Sequence, residues 1–317
     1  MQELLQPDPE LMEKSLQLEV KKISPYRRNF LVSTDSGDWI AKKITDLEHT
    51  KWWLRVDRQL RINGFQQMLR PHPVGKEWVL TPFLPGKTCS YASLPDVVEA
   101  MQSLAVFHQA GRELMIPPIR ESAYLLVDRL YERIQQFYRL LQKAPTIPGE
   151  LGQLLVSVGP EFYHIGWQAW NRLRQLPLSK LARKQRAKHY LCHRDLASHN
   201  WMRDQQGQIW LIDFETANYD AQIGDVWQLS SRALTTNHWQ DEFVEKTVRA
   251  YQKISPLTGL EKEILRNLFY FPNEFYRESI GLAKGKPGYL YETSFPYIKS
   301  IAEHRYQWLQ RAGEIFV

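Results

Sequence analysis

His193-Arg194-Asp195-Leu196-Ala197-Ser198-His199-Asn200, followed by Leu211-Ile212-Asp213-Phe214-Glu215, is the stretch that decides the fold. Asn200 stands five positions after Asp195, and Asp213 thirteen after Asn200. YLCH at 190–193 and QIWLID at 208–213 are short apolar runs separated by Asp204-Gln205-Gln206-Gly207, so they read as a small β pair. Its loops therefore carry a carboxylate, a carboxamide and a second carboxylate, with long helical patterns on either side.

Those patterns cover 96–110, 121–143, roughly 149–187, 241–254, 262–283 and 295–312, where apolar residues recur at helical spacing. Toward the N-terminus the period changes. NFLVSTDSGDWIAKK at 29–43 reads as strands FLVST and WIAKK around an Asp-Ser-Gly-Asp turn. A helix over 47–62 follows, with Trp53, Leu54, Val56, Leu60 and Ile62 as its apolar positions and Asn63-Gly64 as its stop. WVLTPFLPG at 78–86 is a strand ending in Pro82 and Pro85, whose missing N–H groups argue against an interior sheet position. The chain is thus α+β, with a small β-rich lobe at 1–84 and a larger helical lobe at 85–317. Internal repeats and low-complexity segments are not evident.

Composition agrees with a chain of about two domains and a sizeable core: 317 residues, 43% of them hydrophobic. Collagen, disordered and disulfide-framework classes are excluded. Cys89 and Cys192 form no C-x-x-C pair and suit a reducing compartment, and no apolar run approaches a membrane span, so a cytoplasmic product without membrane partners is expected. The charge of +6 suits an anionic ligand but decides little. ARKQRAK at 182–188 reads as a solvated face, since no nucleic-acid-binding spacing accompanies it.

The residue types on the β pair match one chemistry. Moving a γ-phosphoryl group needs a metal against the phosphates, a carboxylate to receive the attacking hydroxyl's proton, and a cation on the nucleotide. Asp195 suits the base, and Asn200 and Asp213 offer the hard oxygens that Mg²⁺ prefers. Lys42, closing the strand Trp39-Ile40-Ala41-Lys42, suits the cation, while its neighbour Lys43 points to the opposite face. A lone loop Asp or strand-end Lys carries no such meaning; only their order along the chain does. His189, Cys192, His193 and His199 match no zinc spacing, and His193 reads as a buried strut. Trp52, Trp53 and Trp201 read as bulk packing rather than pocket walls.

The catalytic stretch, Ile212-Asp213-Phe214-Glu215, Leu104-Ala105-Val106-Phe107-His108-Gln109-Ala110 and the late Phe271-Pro272 resemble the protein-kinase-like small-molecule kinases. The similarity is to the aminoglycoside phosphotransferase and choline kinase group, and within it to the spore-coat CotS family of bacilli, from about residue 28 onward. The resemblance implies a bilobal fold and ATP- and Mg²⁺-dependent transfer to a small-molecule hydroxyl. It implies Mg²⁺ on Asn200 and Asp213, with Glu215 adding a contact from an extended stretch, and adenine on the Pro82 carbonyl and the Leu84 N–H. It also implies a spore-coat location with other coat proteins as partners. The alternative is a kinase-shaped coat component with weak or absent turnover; a kinase acting on coat proteins is a third reading.

Departures from the pattern carry their own expectations. SPYRRN at 24–29 stands where a glycine-rich loop would lie, and the 12 positions from Asp213 to Asp225 leave no long activation segment. Arg194 is expected to pair with Glu215 or Asp225. Lys42 is left with Glu48 or Asp57 as candidate partners, and Asp225-Val226-Trp227 is read as a brace for the catalytic loop. Phe271, Tyr276, Glu278 and Tyr291 are candidate borders of an acceptor pocket that lacks an acidic signature.

Overall fold

A computed structural model describes residues 6–119 and 125–315. Helix α1 (Pro9–Leu16) starts where Asp8 accepts the Glu10 N–H and Pro9 fills the first helical position, which needs no N–H. Strands β1 (Val20–Tyr26), β2 (Asn29–Thr34) and β3 (Gly37–Lys43) then run antiparallel. The connection between β2 and β3 is only Asp35-Ser36, so Gly37 and Asp38 of the expected turn belong to β3 and pair with Thr34 and Ser33. SPYRRN is the end of β1 plus the turn into β2, not a segment ahead of the first strand. Pro25 is tolerated because β1 is an edge strand.

After α2 (Leu47–Ile62), β4 (His72–Val74) and β5 (Trp78–Pro82) complete a five-stranded sheet of order β1-β2-β3-β5-β4. Strand β5 is thus interior, contrary to the expectation from its prolines. Strand β4 pairs only with Trp78, Val79 and Leu80, so Pro82 lies past the end of β4 and lacks no ladder bond. One sheet face buries Phe30, Val32, Ala41, Val74, Trp78 and Leu80 with Met12 of α1. Each large side chain so buried contributes roughly 1.5–3 kcal/mol. Helix α2 turns Trp52, Val56 and Leu60, at i, i+4 and i+8, into the larger helical core instead. Ile62 is 83% exposed, so the apolar stripe is narrower than the sequence implies.

The larger lobe opens with β6 (Gly86–Thr88) and α3 (Leu94–Ala110). It continues through α4 (Leu126–Lys143), α5 (Gly149–Gln175) and α6 (Leu178–Ala187). The part of the expected 121–143 helix before residue 125 lies outside the described residues. The single helix expected over 149–187 is two, because Leu176-Pro177 breaks it. Strands β7 (Leu191–Cys192), β8 (Trp201–Asp204), β9 (Ile209–Leu211) and β10 (Asn218–Tyr219) follow. The expected partners do not pair with each other: β7 pairs with β10, and β9 with β8, which also holds β6.

Helices α7 (Ile223–Thr236), α8 (Asp241–Gln252), α9 (Gly259–Phe269) and α10 (Asn273–Ala283) form the body of the lobe, with α11 (Tyr291–Glu303) and α12 (Arg305–Glu314) closing it. Pro272 splits the expected 262–283 helix into α9 and α10, and His304 splits 295–312. No helix among the described residues is long and apolar enough to cross a membrane.

Gly86, just past the interlobe connection, lies where any Cβ would sit 2.2 Å from the Arg203 carbonyl oxygen of β8. Gly86→Ala should therefore push β6 off β8 and cost about 1–3 kcal/mol. Chemical denaturation should show a lowered midpoint; an unchanged midpoint would mean that the strand pair is not tight there.

Candidate active site

The loop from His193 to Asn200 is held from below by α7. Buried Asp225 accepts the backbone N–H groups of His193 (2.6 Å) and Arg194 (3.0 Å), and Gln228, one turn on, accepts that of Leu196 (2.6 Å). Arg194 sits at φ +69°, a left-handed conformation that these two acceptors hold in place for a non-glycine residue. His193 is the expected strut. Its Nε2 lies 3.0 Å from the Ile212 carbonyl and its Nδ1 3.3 Å from the Asp195 N–H, so Nε2 carries the proton. Burial lowers its pKa and keeps the ring neutral. Asp195 is thereby fixed by its backbone while its carboxylate stays 42% exposed to the cleft.

Asn200 joins the two loops. Its Nδ2 donates to the Asp195 carbonyl (2.9 Å) and its own carbonyl accepts the Ile212 N–H (2.9 Å), which leaves the carboxamide oxygen available. Asp213 is left-handed, at φ +67°, and Phe214–Thr216 form a 3-10 turn, not the extended stretch expected for Glu215. Both carboxylates nevertheless converge: Lys42 Nζ lies 2.8 Å from Asp213 Oδ1 and 2.8 Å from Glu215 Oε1. Burial opposes the Lys42 charge, but the two carboxylates outweigh it and raise its pKa. Phe214, between them, stacks on Trp53 of α2 at 4.2 Å and meets His193 edge-on at 4.8 Å. Trp53 thus pins the Asp213–Glu215 turn, whereas Trp52 and Trp201 are core residues.

One partner expectation is corrected. Lys42 takes neither Glu48 nor Asp57; Asp57 is gripped by Arg61 at 3.0 Å through two bonds. Of the two partners expected for Arg194, Asp225 is the one it meets, through its backbone N–H and through the field of the carboxylate on its guanidinium, while Glu215 lies on Lys42. Phe271 borders a cavity with Ser231, Trp239, Glu274 and Trp308, whereas Tyr276 is fully buried and its hydroxyl donates to the Phe162 carbonyl at 2.8 Å. Tyr291 is 44% exposed on α11, and Glu278 pairs with Arg277 at 2.6 Å.

At the interlobe connection, Phe83 N–H donates to the Asp38 carbonyl at 2.8 Å, directly opposite in register. Alternation then turns the Pro82 carbonyl away from β3, toward the edge that β4 leaves uncovered beyond Leu80. Tyr26, at the end of β1, packs edge-on against Phe83 at 5.9 Å and closes one side of that edge.

Sequence reasoning missed Arg232, whose Nη1 lies 3.6 Å from Asp195 Oδ1. Its signal was spacing: Asp225, Gln228 and Arg232 stand at i, i+3 and i+7, one face of α7. Among the described residues no three His, Cys, Asp or Glu side chains form a ready metal cluster. The oxygens of Asn200, Asp213 and Glu215 suit a cation that takes few protein ligands and completes its shell with water and phosphate.

The profile of the phosphotransferase enzyme family matches residues 21–263. Among solved structures, an aminoglycoside phosphotransferase from Alicyclobacillus acidocaldarius is similar, with TM-score 0.78 at 15% identity over 93% of this chain and 91% of that one. A spectinomycin phosphotransferase in complex with ADP and spectinomycin aligns with TM-score 0.62 at 12% identity, covering 98% of this chain and 100% of that one. A choline kinase from Streptococcus pneumoniae aligns with TM-score 0.55 at 15% identity over 96% and 98%. At these identities the likeness is one of fold: a small antiparallel lobe over a helical one, with the cleft between them.

Proposed function

The chain belongs to the phosphotransferase enzyme family, and from that premise we propose that it transfers the γ-phosphoryl group of ATP, with Mg²⁺, to a hydroxyl of a small molecule. The observation that carries this reading is Lys42 bridging Asp213 and Glu215 at 2.8 Å each, in a turn tied through Ile212 and Asn200 to the Asp195 loop. Two carboxylates on one ammonium are a charge arrangement poised for exchange. With a nucleotide bound, Lys42 would pair with its phosphates, and Asn200, Asp213 and Glu215 would hold the cation. The chemistry Mg²⁺ would supply there is neutralisation of the phosphates.

Asp195 then takes the proton from the acceptor hydroxyl as its oxygen forms the new bond to the γ-phosphorus. The bond from that phosphorus to the β–γ bridging oxygen breaks, and ADP leaves with the electron pair. The Pro82 carbonyl accepts from adenine, and the Leu84 N–H, two residues on, donates to it. The N-lobe of 1–84 supplies Lys42 and this edge, and 85–317 supplies the loops. The CotS likeness adds a spore-coat association with coat proteins as partners. A coat scaffold without turnover is disfavoured because Lys42, Asp195, Asn200 and Asp213 are all intact.

Thermal shift with ATP, with and without Mg²⁺, followed by ATP consumption against hydroxylated metabolites, tests the reading. A shift with no consumption by any acceptor favours the scaffold, and no shift removes both. Asp213→Asn should weaken nucleotide binding only when Mg²⁺ is present, by about tenfold or more. Equal affinity at every Mg²⁺ concentration would remove Asp213 from the metal site.

A further inference from the structure

Beneath Asp195 lies a buried group of charges that the transfer chemistry does not use. Arg277 of α10 holds both acids of its own helix, Glu274 at 2.8 Å and Glu278 at 2.6 Å. Arg232, 7% exposed, reaches Glu274 only at 3.8 Å and Asp195 only at 3.6 Å, and its Nε and Nη1 have no hydrogen-bond partner among the described residues. Arg133 of α4, half-buried, lies in the field of Glu274, Arg277 and Arg232. Three guanidinium groups thus face three carboxylates, Asp195, Glu274 and Glu278, and Arg277 already occupies the last two at short range, so Arg232 is left with two long contacts.

A buried guanidinium with unmade hydrogen bonds is costly unless something completes it. Its planar fork suits a carboxylate or a phosphate, bound through two oxygens. A cationic acceptor would leave those nitrogens of Arg232 without a partner.

We infer that the phosphoryl acceptor is a hydroxylated oxyanion, its carboxylate or phosphate held by Arg232 with Arg133 while its hydroxyl faces Asp195. This rests on the phosphotransferase reading above. Because Arg232 Nη1 and Asp195 Oδ1 are 3.6 Å apart, the hydroxyl and the anionic group are separated by only a few bonds. The balance of the reaction is unchanged: ATP supplies the phosphoryl group, Asp195 takes the proton, and the oxyanion serves only to bind.

The test uses the full chain with saturating ATP and Mg²⁺ and a metabolite panel sorted by charge, including glycerol, glycerate, glycerol 3-phosphate and choline. The best acceptor should be anionic, with kcat/KM at least tenfold above its neutral analogue and falling as NaCl is added. Carboxylate and phosphate members of the panel separate the two forms of the anion. Arg133→Gln should raise KM for that acceptor about tenfold with kcat little changed, and Arg133→Lys should keep most of the affinity. Arg232→Gln carries the same expectation if it folds; Arg133, being half-exposed, decides where it does not. A neutral or cationic best acceptor overturns the inference while leaving phosphoryl transfer standing. So does an intact nucleotide shift with no anionic compound consumed, or an Arg133→Gln enzyme with unchanged KM. Loss of the nucleotide shift itself would instead remove the reading on which the inference rests.

Discussion

Asp195→Asn is expected to lower kcat by about 10²–10⁴-fold while nucleotide affinity stays within about twofold of the parent. The carboxamide keeps the shape of the side chain and, with the His193 and Asn200 contacts made through backbone atoms, leaves the loop in place. What it loses is the ability to take the hydroxyl's proton. Steady-state turnover with the best acceptor and calorimetric binding of ATP with Mg²⁺ are the paired measurements. Equal loss in both would mean that Asp195 contacts the nucleotide and is not the base. The size of the effect also separates an enzyme from a kinase-shaped scaffold, whose residual ATP consumption would not depend on this residue.

How much of this site can be read from the chain follows from the distance over which each interaction acts. Asp195, Asn200 and Asp213 are legible because the chemistry fixes their types and their order within one β-rich insertion. The partner of Lys42 is not, because the bonds to Asp213 and Glu215 span some 170 positions and no local pattern encodes them. Glu48 and Asp57 look better by proximity alone, yet Asp57 is claimed by Arg61 one helical turn away. Glu215 reaches the same lysine as Asp213, although a 3-10 turn replaces the extended backbone that would put them on one side. Helices were legible by period but not by end, since the apolar period runs on through the breaks at Pro177 and Pro272. Strand β1 escaped notice because its edge position tolerates lysines and Pro25, and a register shift between Val20 and Lys22 spoils its alternation. The clustered arginines were invisible for a related reason: Arg133, Arg232 and Arg277 come from three helices, and only packing brings them together.

Asp225→Ala should destabilise the protein by about 3–5 kcal/mol and reduce the turnover of whatever remains folded by about 10²-fold. The carboxylate is buried and accepts from three donors: the His193 and Arg194 N–H groups and His108 Nε2 at 3.3 Å. Alanine leaves those donors in a dry interior and releases the left-handed Arg194, so the Asp195 backbone loses its support. The pH dependence carries the same signature. Burial raises the Asp225 pKa, but the His108 hydrogen bond, the neighbouring imidazoles and the His193 N–H outweigh it, so the folded value is lowered. Its contribution is therefore complete above its unfolded value near about pH 4 and lost as pH falls through the folded one. Burial also lowers the pKa values of His108 and His193, so the unfolded chain takes up protons below about pH 6.5 that the folded chain refuses. Both effects act in one direction. Denaturation midpoints should hold near neutrality, fall below about pH 6.5, and fall again in the carboxylate range. In Asp225→Ala the histidine-linked fall should persist while Asp225's share of the acid-range fall disappears. A variant as stable as the parent at pH 7, or one whose acid limb is unchanged, would mean that the catalytic loop is held by something other than this carboxylate.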